Sequence, residues 1–220
     1  MGGKIPKRLM NLPLGDYVSV KSPMFSFMRL DKADPVLGVE MSSTGEVACI
    51  GENFPDALMK SLEAADMNVP IEGGNILISV GGEVLKSKVI PLATKIKDLG
   101  FTIFATEDTK KALNSNGIEA VRLYKVHENG MEPNIMSCLQ NGRIDMVINI
   151  PMPTTVEEKF KTIMEDEYKI RRMAVDFNIP VIINLELAKA VINAIENVRL
   201  KKPEIKSLNE YHESLDEIYW

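Results

Sequence analysis

Asn75-Ile76-Leu77-Ile78-Ser79-Val80 carries the clearest architectural signal in the chain. The run is short, apolar at consecutive positions and rich in β-branched residues. Such a run predicts a strand buried on both faces, the usual condition in a parallel sheet covered by helices. Four runs of the same character follow at 101–105, 120–124, 145–150 and 180–184. Between the first two, Val89, Leu92, Ala93, Ile96 and Leu99 recur at helical spacing. Gly100 then offers a left-handed C-terminal cap, and Pro91 lies early in the helix, where proline is tolerated. Shorter helices are expected over 109–115 and 134–139, each followed by an Asn-Gly pair, at 116–117 and 141–142. Helices over 163–177 and 186–198 complete a strand-helix alternation with right-handed crossovers. The fold class is therefore α/β, a five-stranded parallel sheet flanked by helices.

The residues before this series read differently. Extended runs at 17–20 and 24–30, a Gly- and Ser-rich middle and a helix near 55–65 make a small α+β appendage without an obvious core of its own. Residues 68–74, with Pro70, Gly73 and Gly74, read as a linker, and 151–161 as an exposed loop. The expected organisation is an N-terminal unit over 1–70, the α/β domain over 71–200, and a charged, peripheral tail over 201–220.

Composition excludes several classes of function. With 220 residues, 45% hydrophobic and 26% charged, the chain is that of a folded globular protein rather than a disordered one. A formal net charge of -5 gives no global reason to bind nucleic acid or an anionic membrane, and neither partner is expected. Apolar runs fall far short of the ~20 residues of a membrane helix. The start, Met1-Gly2-Gly3-Lys4-Ile5-Pro6, has no apolar signal region, so a cytoplasmic location is expected. Cys49 and Cys138 are isolated, which argues against a disulfide framework or a metal site and for two reduced thiols.

Two segments add specificity. Asp34-Pro35-Val36-Leu37-Gly38-Val39-Glu40-Met41-Ser42-Ser43-Thr44-Gly45-Glu46-Val47 resembles the DPxLGxEMxSTGEV signature near the end of the second ATP-grasp unit in the large subunit of carbamoyl-phosphate synthase. Then Ile76-Leu77-Ile78-Ser79-Val80, Gly100-Phe101, Ala105-Thr106, Lys125-Val126-His127-Glu128, Val147-Ile148-Asn149 and Ile170-Arg171-Arg172 look like that subunit's C-terminal regulatory domain, in family order. Ser207-Leu208-Asn209-Glu210-Tyr211-His212 is similar to the tail of bacterial members. The resemblance runs from about residue 17 to residue 212. It implies a methylglyoxal-synthase-like fold for the α/β domain and makes 1–70 the end of an ATP-grasp domain. Synthase chemistry, with ATP and magnesium, would lie in units outside this chain, in the service of pyrimidine or arginine biosynthesis. This chain is then expected to be noncatalytic by itself and to hold no cofactor or metal.

The resemblance also implies an effector pocket. Ala105-Thr106-Glu107-Asp108-Thr109 leaves a strand and opens a helix, the place where parallel sheets bind ligands and where helix amides suit phosphate. In the family, this turn and two lysines hold a nucleotide's phosphate, and the matching positions are Ser79, Lys86, Thr106, Thr109 and Lys125. Asn149 and Asp166 match residues farther round the nucleotide, which would be UMP or IMP. Plainer readings stand beside these. Lys86 suits a solvated surface charge, Thr106 and Thr109 suit helix caps, and His127 a structural role. Asn149 must find hydrogen-bond partners if buried, and Arg171 and Arg172 suit ion pairs with Glu165 and Asp166.

Three departures from the family pattern bear on the pocket. Asp108 stands where a glycine is usual, and its carboxylate is expected to repel phosphate or take the anion's place at the helix N-terminus. Ile150 replaces a threonine expected to face the nucleotide, and Ile182-Ile183-Asn184 replaces the Asp-Thr-Thr region linked to ornithine response. The leading expectation is a regulatory or assembly module that partners synthase subunits and forms a homo-oligomer. The alternatives are a structural fragment whose pocket has decayed, or a methylglyoxal-synthase-like lyase. The lyase needs positioned acid/base groups, and neither histidine, His127 or His212, stands where that family's catalytic one does.

Overall fold

A computed structural model describes residues 17–30, 32–36, 43–125, 128, 130–151 and 161–211, without the side chains of 28 and 161–164. Strand β1 (Val18–Met24) pairs antiparallel with β2 (Gly45–Gly51), and helix α1 (Phe54–Ala64) follows. The α/β series then runs β3 (Asn75–Val80), α2 (Glu83–Asp98), β4 (Thr102–Ala105), α3 (Glu107–Asn114), β5 (Val121–Arg122), α4 (Ile135–Gln140), β6 (Met146–Ile150), α5 (Lys161–Asp176), β7 (Val181–Ile182) and α6 (Leu185–Leu200). The five later strands form one parallel sheet in the order β5-β4-β3-β6-β7, as the apolar runs predict. Gly100 closes α2 at φ +80°, a conformation that glycine adopts without steric cost. Among the described residues, no helix is long and apolar enough to cross a membrane.

Strand alternation divides the core into two layers. Ile76, Ile78, Val80, Ile103, Ala105, Met146, Ile148, Ile150 and Ile182 face α1, α2 and α6, together with Leu113 of α3. Leu77, Phe104, Leu123 and Val147 face α4 and α5, where they meet Ile135, Cys138, Leu139, Ile170 and Ala174. Each fully buried Leu, Ile or Val adds about 1.5–3 kcal/mol of apolar burial, so β3, buried on both faces, is the keel of the domain.

The N-terminal unit shares this core. Leu58, Met59 and Leu62 of α1 join the layer containing α6, and Val20 of β1 packs against it. A buried hydrogen bond of 2.8 Å between Ser22 Oγ and Ser61 Oγ fastens β1 to α1. The linker residue Ile71 is gripped by Arg199, whose Nε donates to the Ile71 carbonyl and whose Nη1 donates to the Leu99 carbonyl, both at 2.5 Å.

Two expectations need correction. Residues 24–30 are not one extended run: β1 ends at Met24 and Phe27–Arg29 form a 3₁₀ turn. The turn's carbonyls are turned toward α5, where Arg172 Nη1 donates to the oxygens of Phe27 (2.9 Å) and Leu30 (3.0 Å). The Gly- and Ser-rich middle contains β2, whose residues Val47 and Cys49 alternate with exposed neighbours in the manner of a strand covered on one face. The tail lies at the surface, as expected, and is tethered as far as residue 211. Lys201 and Lys206 pair with Glu52, Lys60 Nζ donates to the Glu204 carbonyl at 2.6 Å, and the Tyr211 hydroxyl donates to the Ile50 carbonyl at 3.2 Å. The expected loop residues 152–160 lie outside the described residues.

Candidate functional site

At the carboxyl end of the sheet, the face toward α4 and α5 turns from apolar to polar. On four successive chain segments an apolar core residue is followed two positions later by a polar one: Leu77 by Ser79, Phe104 by Thr106, Leu123 by Lys125 and Val147 by Asn149. Within β3 and β6 the period of two keeps both members of the pair on one face, so Ser79 and Asn149 share a side, whereas Thr106 follows the end of β4 and Lys125 lies three residues past β5. Ser79 and Asn149 are register partners across β3 and β6. Open parallel sheets bind ligands in a crevice at this end of their strands.

Three hydroxyls meet there. Ser79 Oγ lies 3.5 Å from Thr106 Oγ1, and Thr106 Oγ1 lies 3.3 Å from Thr109 Oγ1. Both separations exceed the ~2.7–2.8 Å of a good O–H···O bond, so Ser79 and Thr106 are neighbours without satisfying one another. All three residues are buried. Thr106 occupies the N-cap position of α3 but makes no side-chain cap bond, and Thr109 Oγ1 accepts from the backbone N–H of Val80 at 3.1 Å. The plain capping reading therefore fails for both threonines: Thr106 caps nothing, and Thr109 completes the sheet rather than the helix.

Both candidate lysines are paired with carboxylates. Lys125 Nζ stands 3.5 Å from Asp166 Oδ2 on α5, and Asp166 is 3% exposed. Lys86, in the first turn of α2, pairs with Glu83 at 2.8 Å and keeps only 12% of its side chain exposed, far from a freely solvated charge. Lys86 lines a shallow cleft of ≈ 430 Å³ with Glu83, Asp108, Lys111, Ala112 and Ser115. The fold thus gathers Ser79, Thr106 and Thr109 in one hydroxyl cluster, sets Asn149 beside Ser79 across the sheet, pairs Lys125 with Asp166 on α5, and places Lys86 in a cleft with Asp108.

Asp108 and Ile150 behave otherwise than expected. Asp108 is exposed and, among the described residues, accepts no hydrogen bond, so its carboxylate does not occupy the helix N-terminus. The acid of the first turn that finds partners is Glu107, which pairs with Lys111 and Arg122. Ile150 sits in the layer facing α2 and α6, one residue out of phase with Asn149, and a hydroxyl there would not face the crevice. Asn184 caps α6, its Oδ1 accepting from the Leu187 N–H at 2.7 Å. His127 and His212 lie outside the described residues.

Asn149, fully buried at the end of β6, shows what sequence reasoning missed. Its Oδ1 accepts from Arg171 Nη1 at 2.8 Å, and Arg171 forms a two-pronged pair with Asp34, Nε to Oδ1 at 2.9 Å and Nη2 to Oδ2 at 2.7 Å. The partner of Arg171 is therefore Asp34, not the carboxylates a turn earlier on α5. A helix points residues 168, 171 and 172 to one side, and that side meets the chain around Asp34. That spacing, set against the acidic start of the DPVLG segment, is the available signal.

These features define an α/β protein of the MGS-like class, and residues 88–183 match the family model of the MGS-like domain. Over most of its length the chain is related to carbamoyl phosphate synthase large chains. It is 41% identical over 197 residues to "Carbamoyl phosphate synthase large chain" of Archaeoglobus fulgidus, covering 90% of this chain and 17% of that protein. It is 41% identical over 194 residues to "Carbamoyl phosphate synthase large chain, C-terminal section" of Methanocaldococcus jannaschii, covering 88% and 30%. It is 38% identical over 201 residues to "Carbamoyl-phosphate synthase [ammonia], mitochondrial" of Homo sapiens, covering 90% and 13%. The chain thus spans less than a third of the length of these relatives, and the similarity includes its N-terminal unit as well as the MGS-like domain.

Proposed function

We propose that this chain is a noncatalytic regulatory and assembly module that acts with the synthase units of a carbamoyl-phosphate synthase and binds a nucleoside monophosphate, UMP or IMP. The observation that carries the reading is the polar carboxyl end of the sheet, where Ser79 Oγ and Thr106 Oγ1 lie 3.5 Å apart at the start of α3. Hydroxyls and an amine at a helix N-terminus are phosphate-binding chemistry. An effector bound there shifts a synthase only through unequal affinity for two arrangements of the assembly, a coupling of typically ~1–3 kcal/mol. ATP and magnesium belong, in this reading, to the synthase units.

The test is calorimetric titration of the purified protein with UMP and with IMP, using Lys125→Ala as control. The expected result is saturable binding that the substitution weakens by at least about tenfold, as loss of a charge-assisted contact does. No binding at millimolar nucleotide sinks the effector reading. A second reading, a purely structural module, is favoured by one observation: both lysines already hold carboxylates, at 2.8 Å for Lys86 and 3.5 Å for Lys125, and a phosphate must compete for them.

A further inference from the structure

Asn149 lies against a group that can only donate. A guanidinium has five N–H donors and no acceptor, so the amide atom facing Arg171 must be the oxygen. That fixes the amide's orientation, and among the described residues its buried Nδ2 has no hydrogen-bond partner. Native structures rarely leave such a donor unmet, because desolvating it without compensation is costly. Arg171 is held in place by the two-pronged contact with Asp34, whose side chain is 40% exposed, while that of Arg171 is 5% exposed. Around Asp34, α5 also grips the backbone: the Tyr168 hydroxyl donates to the Lys32 carbonyl at 2.8 Å, and Arg172 donates to those of Phe27 and Leu30.

We propose that Asp34 and Arg171 are positioning residues that lock the Asn149 amide as a donor toward the crevice, so that docking of the 27–34 segment on α5 sets the affinity for a phosphorylated ligand presenting an acceptor oxygen to Asn149. This rests on reading the crevice as a ligand site. When Asp34 holds Arg171, the amide is oriented before ligand arrives and its ordering cost is met in advance. When the segment lifts, Arg171 loses its anchor and Asn149 turns freely between donor and acceptor orientations. By linkage, a ligand that needs the donor holds the segment down.

The experiment compares the wild-type chain with Asp34→Ala, Asp34→Glu and Arg171→Lys, titrated with UMP and with inorganic phosphate, and follows the Asn149 side-chain amide resonances by NMR. Asp34→Ala is expected to weaken UMP by about five- to tenfold, the loss of one oriented hydrogen bond, and to leave inorganic phosphate unchanged. Asp34→Glu restores much of the loss, whereas Arg171→Lys does not, since an ammonium cannot reproduce the fork. In the free protein, Asp34→Ala shifts the Asn149 amide resonances and lowers the exchange protection of 27–34. Equal weakening of UMP and phosphate, or unchanged UMP affinity, overturns the proposal. Failure of the wild-type chain to bind either ligand refutes the effector reading instead, and the Asn149 resonances then decide alone: a shift in Asp34→Ala upholds the positioning and no shift overturns it.

Discussion

Thr109→Val tests the account of how α3 is joined to the sheet. The last register pair of β3 with β4 is Ile78 with Ala105. Two residues on, β4 has run out, and the buried N–H of Val80 donates to Thr109 Oγ1 at 3.1 Å instead. Valine keeps the branched shape, so no cavity opens and helix propensity hardly changes. The N–H is left unsatisfied at 5% exposure of its residue, a cost of about 1–3 kcal/mol, offset in part by the easier burial of a methyl group. A net loss of about 1–2 kcal/mol is expected, and for a chain of this length each kcal/mol lowers Tm by about 2–4 °C. Urea and thermal unfolding followed by far-ultraviolet circular dichroism measure it. Ser79→Ala is the internal contrast, because among the described residues Ser79 Oγ has only the 3.5 Å contact with Thr106 and no backbone group depends on it; its loss is expected to be within about 0.5 kcal/mol. If Thr109→Val is as stable as wild type, or costs no more than Ser79→Ala, the closing role of the hydroxyl is wrong.

Two further outcomes follow from the tail and the thiols. Hydrogen bonds from Lys201 and then Lys206 hold the Glu52 carboxyl below its ordinary value of 4.5, so the clasp's contribution is fully present above that pH and is lost as pH falls through the lowered value; Glu52 followed by NMR should titrate with a midpoint under 4.5, and a midpoint at or above it refutes the clasp. Burial pushes the Cys138 thiol up, whereas Cys49 is half-buried, so a thiol reagent at pH 8 should label Cys49 in the native protein and Cys138 only after denaturation. Equal labelling rates would contradict the packing of α4 against β3 and β6.

The sheet was legible because β3 and β6 are buried on both faces, and burial on both faces leaves an unbroken apolar run such as Ile76-Leu77-Ile78. The β1–β2 pair was only half legible, since one covered face imposes alternation, and alternation in Val47-Ala48-Cys49 is easily lost among small residues. The polar residues that end the strands were legible, and their wiring was not. Ser79, Thr106, Lys125 and Asn149 each sit two places after a core residue, a local pattern. The direction of Ile150 depends on phase: one step along a strand moves a side chain to the opposite layer, and Ile150 lies one step from Asn149.

The contact between Asp34 and Arg171 spans 137 residues, and nothing local requires it. Its importance lies in the cost of the alternative. Arg171 is buried, and among the described residues removing Asp34 leaves its charge with one neutral partner, Asn149, in a poorly hydrated place. The chain therefore keeps Asp34, and the segment bearing it, against α5 whenever Arg171 stays inside. The same guanidinium donates to Asn149 Oδ1, so the interior charge that holds Asp34 also orients the amide at the end of β6. A surface ion pair of the same geometry would be weak and screened, and could not link the two places; burial of Arg171 is what makes their coupling measurable.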